Sequence, residues 1–151
     1  NVGYPDREAE LAIMRLSMNE ASASASHAAP PVISQASLMQ AREEILALHL
    51  AEPVEHYIVE LVMASRDPSR YSLDLGNWIE YGASPRASIA LNRCARAHAW
   101  LQGRDYVTPE DVQQVAPDVL RHRLLLSFEA EANGMTADDV IRALLQWVPV
   151  A

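Results

Sequence analysis

The sequence predicts an all-α fold, a helical bundle of about six helices with at most a very short two-stranded ribbon. Half of the residues are apolar, which is enough for one domain with a buried core. The chain has only five glycines and one phenylalanine, which disfavours loop-rich folds and β-sandwiches. Apolar side chains also recur at helical spacing behind residues that commonly cap helices.

The first helix is expected from Arg7 to about Met18, with Asp6 as its N-cap. The stretch that follows is rich in alanine and serine, lacks an apolar stripe and ends in a double proline, as mobile linkers often do. We therefore expect three parts, which are a helical segment over 1–18, a flexible linker over 19–36 and a helical domain over 37–151.

The helical domain is expected to begin with two helices. Ser37 is a suitable N-cap for a helix over about 38–50, and Pro53 lies at the start of the next. That next helix carries a stripe of residues with the spacing of a buried face: Val54, Tyr57, Ile58, Leu61, Val62 and Ser65. It should end near Asp67-Pro68, because the residue before a proline leaves the α region. The segment 69–81 is then a long connection, and such connections are often functional.

A strong helix start follows at Ser84, the expected N-cap, and Pro85, at the first helical position. We expect this helix to continue to about Gln102 and to end at Gly103. One of its faces carries the residues Ala90, Cys94, Ala97 and Leu101. Cys94 is therefore predicted to be a small buried residue. It is the only cysteine, which excludes an intramolecular disulfide and a cysteine-rich zinc site.

The last part of the chain predicts two more helices. Thr108 is the expected N-cap of one, with an acidic residue three positions later, and Pro117 is expected to kink or shorten it. Its apolar stripe comprises Val112, Val115, Ala116, Val119 and Leu120. Residues 124–126 are expected to form either a strand beside 106–107 or a buried extended piece. Thr136 caps the final helix, whose predicted core residues are Val140, Ile141, Leu144, Leu145 and Val148.

Charge and residue types exclude several functions. The net charge of −8 disfavours nucleic acid and anionic membranes as partners. All twelve basic residues are arginine, so neither a Walker A loop nor a Schiff-base lysine can be present. No apolar run reaches the roughly 18 residues of a membrane span. No signal peptide precedes the first helix, and we expect the chain to be a piece of a cytoplasmic protein.

The five histidines share no spacing typical of a metal site, and we expect no bound metal. They are His27, His49, His56, His98 and His122. The pair His122-Arg123 is better explained as a structural or interface pair than as a catalytic one.

The most informative segment is Gly82 to Arg86, because it places an arginine in the first turn of a helix. A helix N-terminus presents free N–H groups and a partial positive charge, so a cation there is unfavourable for the helix. A nearby anion such as a phosphate would explain it. The alternative is a solvated arginine at an ordinary helix start.

Several segments together resemble the C-terminal lid of MoxR-type AAA+ ATPases, in the order and spacing of that family. Gly82 to Arg86 resembles its sensor-2 motif, and Gly103 to Val112 closely matches a second motif, GRDYVTPEDV. Further similar segments are Gly3-Tyr4-Pro5, Tyr57-Ile58-Val59, Ala64-Ser65-Arg66, His122-Arg123 and Trp147 to Val150. Ser65 stands where the family motif usually has threonine. The linker and residues 69–81 match nothing firmly.

The resemblance implies that residues 1–18 are the junction with an ATP-binding AAA+ core and that 37–151 form the lid. Arg86, presented by Ser84 and Pro85, would contact the γ-phosphate of ATP bound with Mg²⁺ by the core. The implied partners are this core, further copies of the protein in a hexamer, and a von Willebrand factor A domain protein. The implied activity is chaperone-like remodelling driven by ATP hydrolysis.

Two other readings stay open at this point. The chain could be a standalone acidic helical interaction module with no nucleotide role, whose surface binds a basic partner. It could also be a helical DNA-binding domain, since such domains also use short capped helices, although the net charge counts against this reading.

Overall fold

The computed structural model of the chain describes residues 4–22 and 32–150. The chain divides into two units, Asn1–Ser34 and Gln35–Ala151, and each is described by itself.

The first unit contains the helix α1, which spans Arg7–Ser22. Asp6 caps it as expected, because its Oδ1 accepts a hydrogen bond of 2.8 Å from the N–H of Ala9. The helix runs four residues beyond the expected end at Met18, since alanine and glutamate there are compatible with a helix. The predicted linker therefore begins with helical residues, and its positions 23–31 lie outside the described residues.

The second unit is mostly helical, which confirms the predicted fold class. Its elements in chain order are α2 (Gln35–Ala47), α3 (Glu52–Arg66), a 3-10 turn (Pro68–Arg70), α4 (Leu73–Trp78), β1 (Ile79–Tyr81), α5 (Pro85–Leu101), α6 (Pro109–Leu120), β2 (Leu125–Leu126), α7 (Phe128–Ala132) and α8 (Ala137–Trp147). The described residues thus hold eight α-helices rather than about six. The additional ones, α4 and α7, have six and five residues, too few to show a helical period in the sequence.

Three of the predicted apolar stripes lie in the core. All six stripe residues of α3 are buried, and Tyr57 and Leu61 are 1% exposed. Helix α6 buries most of its stripe and continues through Pro117 to Leu120. Helix α8 buries Val140, Ile141 and Leu144 behind the predicted cap Thr136, whose hydroxyl accepts from the N–H of Asp139 at 3.2 Å. Helices α3 and α6 pack against α5, α8 packs against α3 and α6, and together they bury one shared core.

Helix α5 buries a different face from the predicted one. Its buried residues are Ala87, Leu91, Ala95 and Ala99, each 0% exposed. Cys94 and Leu101 are exposed, so the prediction that Cys94 is buried was wrong. Two faces of this alanine-rich helix have similar apolarity in the sequence. The buried one carries three alanines, which permit α3 and α6 to approach closely.

The two-stranded ribbon exists, but its pairing differs from the expected one. β2 pairs antiparallel with β1, with Ile79 opposite Leu126, instead of lying beside residues 106–107. Tyr106 instead forms an isolated parallel bridge with His49. The expected long connection 69–81 is therefore a 3-10 turn, a short helix and a strand, because its apolar residues Leu75 and Ile79 have a core to pack on.

Helix α2 differs from its predicted bounds at both ends. It begins at Gln35, so Ser37 lies inside the helix, and it ends at Ala47. None of its residues is fully buried. Its Glu44 Oε2 accepts a hydrogen bond of 3.0 Å from the indole N–H of Trp100 on α5. Arg96 on α5 donates to the carbonyl of Leu48 just after the helix.

Candidate functional site

The start of α5 is the site that the sequence singled out. Ser84 is the N-cap residue, in an extended conformation, and Pro85 occupies the first helical position. Ser84, Pro85 and Arg86 are all exposed, whereas the next residue, Ala87, is buried. The helix is thus anchored in the core from Ala87 onward, while its first two residues, Pro85 and Arg86, are exposed. Pro85 has no N–H, and the N–H of Ala87 donates to the carbonyl of Ser84 at 2.9 Å, so of the first three helical residues only Arg86 keeps a backbone N–H without a partner among the described residues. This donor and the partial positive charge of the helix start lie at this point.

Arg86 is exposed and makes no hydrogen bond or ion pair with any of the described residues. Its guanidinium is therefore not neutralised by a carboxylate, although twenty acidic residues are present in the chain. The guanidinium and the backbone N–H of Arg86 are all donors, and together they suit an anion with several acceptor oxygens. The structure thus places the predicted residue where such an anion could reach it, and its role stays a prediction.

The loop before α5 is held by the C-terminal end of α3. The hydroxyl of Ser65 accepts a hydrogen bond of 3.0 Å from the N–H of Ala83 and donates one of 2.7 Å to the carbonyl of Val62. Nε of Arg66 donates to the carbonyl of Ala83 at 2.7 Å. Both polar backbone groups of Ala83 are therefore bound by two neighbouring side chains. We call Ser65, Arg66 and Ala83 the α3–α5 clasp.

Gly82 is tightly packed against the same part of α3. A Cβ atom added at Gly82 would lie 2.3 Å from the carbonyl oxygen of Ser65 and 2.7 Å from the Cα of Arg66. Only a residue without a side chain lets the two backbones approach this closely. Two segments that are far apart in the sequence, Ala64 to Arg66 and Gly82 to Arg86, are thus in direct contact. The sequence alone did not predict this contact.

The second closely matching segment, Gly103 to Val112, folds into an electrostatic cluster around one buried carboxylate, that of Asp111. Asp111, whose side chain is 1% exposed, accepts hydrogen bonds from Arg104, from the backbone N–H of Thr108 and from Nδ1 of His98. Burial alone would raise the pKa of Asp111, but these donors outweigh it and hold the pKa well below its usual range. The cluster joins the end of α5 to the start of α6.

The remaining polar candidates are structural. Nε of Arg123 donates to the carbonyl of Val119 at 2.8 Å, while its neighbour His122 is exposed. Among residues 4–22 and 32–150, no three histidine, cysteine, aspartate or glutamate side chains are grouped as metal ligands. In the same part of the chain, no helix is long and apolar enough to cross a membrane.

An apolar groove lies beside the exposed face of α5. Ile89 and Arg93 follow Arg86 at three and seven residues, so all three lie on one side of the helix. Ile89, which is 55% exposed, and Arg93 line the groove together with Leu46 on α2 and Val59 on α3. The sequence did not predict this groove, because its residues come from three helices.

Known proteins are similar to this chain over nearly its whole length. Residues 77–144 match the family model described as the AAA lid domain. The chain is 37% identical to the chaperone MoxR1 of Mycobacterium tuberculosis over 98% of its length. It is 35% identical to the uncharacterized protein YeaC of Bacillus subtilis over 99% of its length. The chain spans 38% and 43% of these two relatives.

A solved structure shows the same fold. It is a crystal structure from Cytophaga hutchinsonii whose protein is described as a candidate ATPase. The alignment has a TM-score of 0.80 at 39% identity, and it covers 99% of this chain and 45% of the other. The similarity therefore includes nearly all of the helical arrangement described above.

Proposed function

Because this chain is the lid domain of a MoxR-family AAA+ ATPase, we propose that it closes over ATP bound to the core of the same protein and that Arg86 contacts the γ-phosphate. The single observation that carries the proposal is the exposed guanidinium of Arg86, which has no partner among the described residues, at the first turn of α5 beside its own free backbone N–H. All these groups are donors and suit a terminal phosphate bound with Mg²⁺.

Arg86 would act by donating hydrogen bonds to phosphate oxygens whose charge must be stabilised during hydrolysis. The core would supply the nucleotide with its Mg²⁺ and the attacking water. Ser84 and Pro85 present the arginine by starting the helix at this position, and their exposure keeps the first turn accessible. Because Ala87 is buried, a change in the angle of the lid would move Arg86 together with the whole domain. The lid angle and the nucleotide state would thereby be coupled.

The further parts of the proposal concern assembly. We expect the full-length protein to form a ring, a hexamer, in which the lid also contacts a neighbouring copy. The apolar groove lined by Leu46, Val59 and Ile89 supports such a contact, since it exposes apolar side chains beside the face that carries Arg86. Chaperone-like remodelling, a von Willebrand factor A domain partner and a cytoplasmic location are proposed from the family resemblance.

The test is ATP hydrolysis by the full-length protein with Arg86→Ala. We expect turnover to fall by roughly 10²-fold or more, as it does when an arginine that stabilises phosphate charge is removed. Nucleotide affinity should change much less. Arg70→Ala, at an exposed arginine of the 3-10 turn, is the matched control and should keep wild-type turnover.

Wild-type turnover in Arg86→Ala, with unchanged nucleotide affinity, would contradict the phosphate contact. The chain would then be better described as an interaction domain without a role in nucleotide sensing.

A further inference from the structure

We propose that Ser65 and Arg66 are positioning residues for Arg86, because through Ala83 they determine where α5 begins and where its first turn points. This inference rests on the proposed contact between Arg86 and the γ-phosphate. It assigns a role to the end of α3, which itself touches no nucleotide in the proposal.

The Ser65 hydroxyl has one proton, and its two neighbouring polar groups determine which of them accepts it in a hydrogen bond. Oγ lies 2.7 Å from the carbonyl oxygen of Val62, which can only accept, so the hydroxyl donates there. Its oxygen is then free to accept from the N–H of Ala83 at 3.0 Å. Ser65 is 0% exposed and Ala83 is 1% exposed, so water does not replace this bond when the hydroxyl is removed.

Arg66 holds the other polar group of the same residue. Its Nε donates to the carbonyl oxygen of Ala83 at 2.7 Å, and this is a charge-assisted hydrogen bond. Ala83 is thereby held at both its N–H and its C=O, which restricts rotation about its backbone as well as its position. Gly82 adds a third restraint, because its backbone lies directly against Ser65 and Arg66.

The start of α5 depends on this clasp more than on its own cap. The side chain of Ser84 makes no capping hydrogen bond, so the N-cap residue does not itself anchor the first turn. Arg86 is only three residues beyond Ala83. The side chains of Ser84, Pro85 and Arg86 make no hydrogen bond with any of the described residues. Arg86 therefore lies between two anchored residues, Ala83 in the clasp and the buried Ala87, and a displacement of Ala83 shifts the first of them. Catalytic groups tolerate only small displacements, and about 1 Å can cost roughly 10²-fold in rate.

The experiment measures steady-state ATP hydrolysis by the full-length protein with Ser65→Ala. We expect kcat to fall about tenfold or more, with a smaller change in KM, because the arginine is misplaced rather than removed. Ser65→Thr keeps the hydroxyl and should retain most of the activity. Tyr57→Phe is the matched control, since it removes another core hydroxyl, which accepts from Gln113 at 3.1 Å away from the clasp. It should leave kcat close to the wild-type value.

A double-mutant cycle distinguishes positioning from general destabilisation. If Ser65 acts through Arg86, adding Ser65→Ala to Arg86→Ala should cause no further loss of kcat. A loss that persists undiminished in the Arg86→Ala background would overturn the inference, as would equal losses in Ser65→Ala and Tyr57→Phe. Wild-type activity of Arg86→Ala alone would instead refute the proposed function.

Arg66→Met provides a second variant in case Ser65→Ala does not fold, since most of this side chain is at the surface. Methionine at this position cannot donate a hydrogen bond to the carbonyl of Ala83. We therefore expect the same fall in kcat as in Ser65→Ala and the same non-additivity with Arg86→Ala. Arg142→Met is its control, because it loses only an exposed hydrogen bond of 2.9 Å to Asp139. Equal activities of Arg66→Met and Arg142→Met would contradict the role of Arg66.

Discussion

Arg104 binds Asp111 through two parallel hydrogen bonds. Nη1 lies 2.7 Å from Oδ2 and Nη2 lies 2.5 Å from Oδ1, so the guanidinium meets the carboxylate as a fork. The carboxylate also accepts from the backbone N–H of Thr108 at 2.8 Å, which completes a capping box at the start of α6. One buried aspartate therefore joins the loop after α5 to the next helix.

We expect Asp111→Asn to destabilise the chain by roughly 1–3 kcal/mol, since the buried carboxylate loses charge-assisted hydrogen bonds, while its partners Arg104 and His98 are partly solvated. Chemical denaturation followed by circular dichroism measures the change. Asp118→Asn is the matched control, because Asp118 is an exposed carboxylate on the same helix and forms an ion pair of 3.0 Å with Arg121. Equal stabilities of the two variants would contradict the structural role of Asp111.

The lowered pKa of Asp111 leads to a prediction of how the stability of the chain depends on pH. The folded pKa of Asp111 is lowered, so its contribution is fully present above the unfolded pKa, about 3.9, and is lost as the pH falls toward the folded value. The difference in unfolding free energy between the wild type and Asp111→Asn should be constant near pH 7 and shrink below about pH 4. A difference that stays constant down to about pH 2 would contradict the lowered pKa.

Gly82→Ala is expected to destabilise the chain by about 1–3 kcal/mol, as overpacking usually does. The new methyl group would meet the backbone of α3 at 2.3 Å, and backbone atoms cannot rotate away. Gly76→Ala is an instructive control. There the added Cβ meets the side-chain hydroxyl of the exposed Ser69 at 2.4 Å, which can turn, and alanine favours a helix by about 1 kcal/mol. The unfolding temperature should therefore fall clearly more for Gly82→Ala than for Gly76→Ala.

Ala95→Leu and Cys94→Leu test which face of α5 is buried. Ala95 is 0% exposed, so a larger side chain would push the packed helices apart at a cost of about 1–3 kcal/mol. Cys94 is exposed, and the same side chain there should change stability by less than about 0.5 kcal/mol. A larger loss of stability in Cys94→Leu than in Ala95→Leu, measured by denaturant unfolding, would show that the face that carries Cys94 is the buried one.

The 151-residue chain by itself is expected to hydrolyse no ATP. It has no lysine, so it contains no Walker A loop to hold the phosphates. Release of inorganic phosphate from ATP by purified chain is the measurement, and turnover above a no-protein control would contradict this prediction. The same material should not bind duplex DNA at near-physiological salt, and salt-dependent binding there would favour the DNA-binding alternative.

Features that depend on local chemistry could be predicted from the sequence. The caps at Asp6 and Thr136, the stripe of α3 and the start of α5 at Pro85 all follow from hydrogen bonding and periodicity within one helix. The position of Arg86 in the first turn could be predicted in the same way, because it depends only on the helix start at Pro85, one residue earlier. The family resemblance was also visible, since its motifs are continuous segments.

Only the tertiary structure decided which segments meet. The buried face of α5 was ambiguous because alanine-rich faces differ little in apolarity, and the close approach of α3 and α6 selected Ala95 over Cys94. The partner of β2 and the clasp between Ser65 and Ala83 join residues far apart in the chain. Local propensity carries no information on such contacts, because the free energy that selects them comes from packing the whole domain.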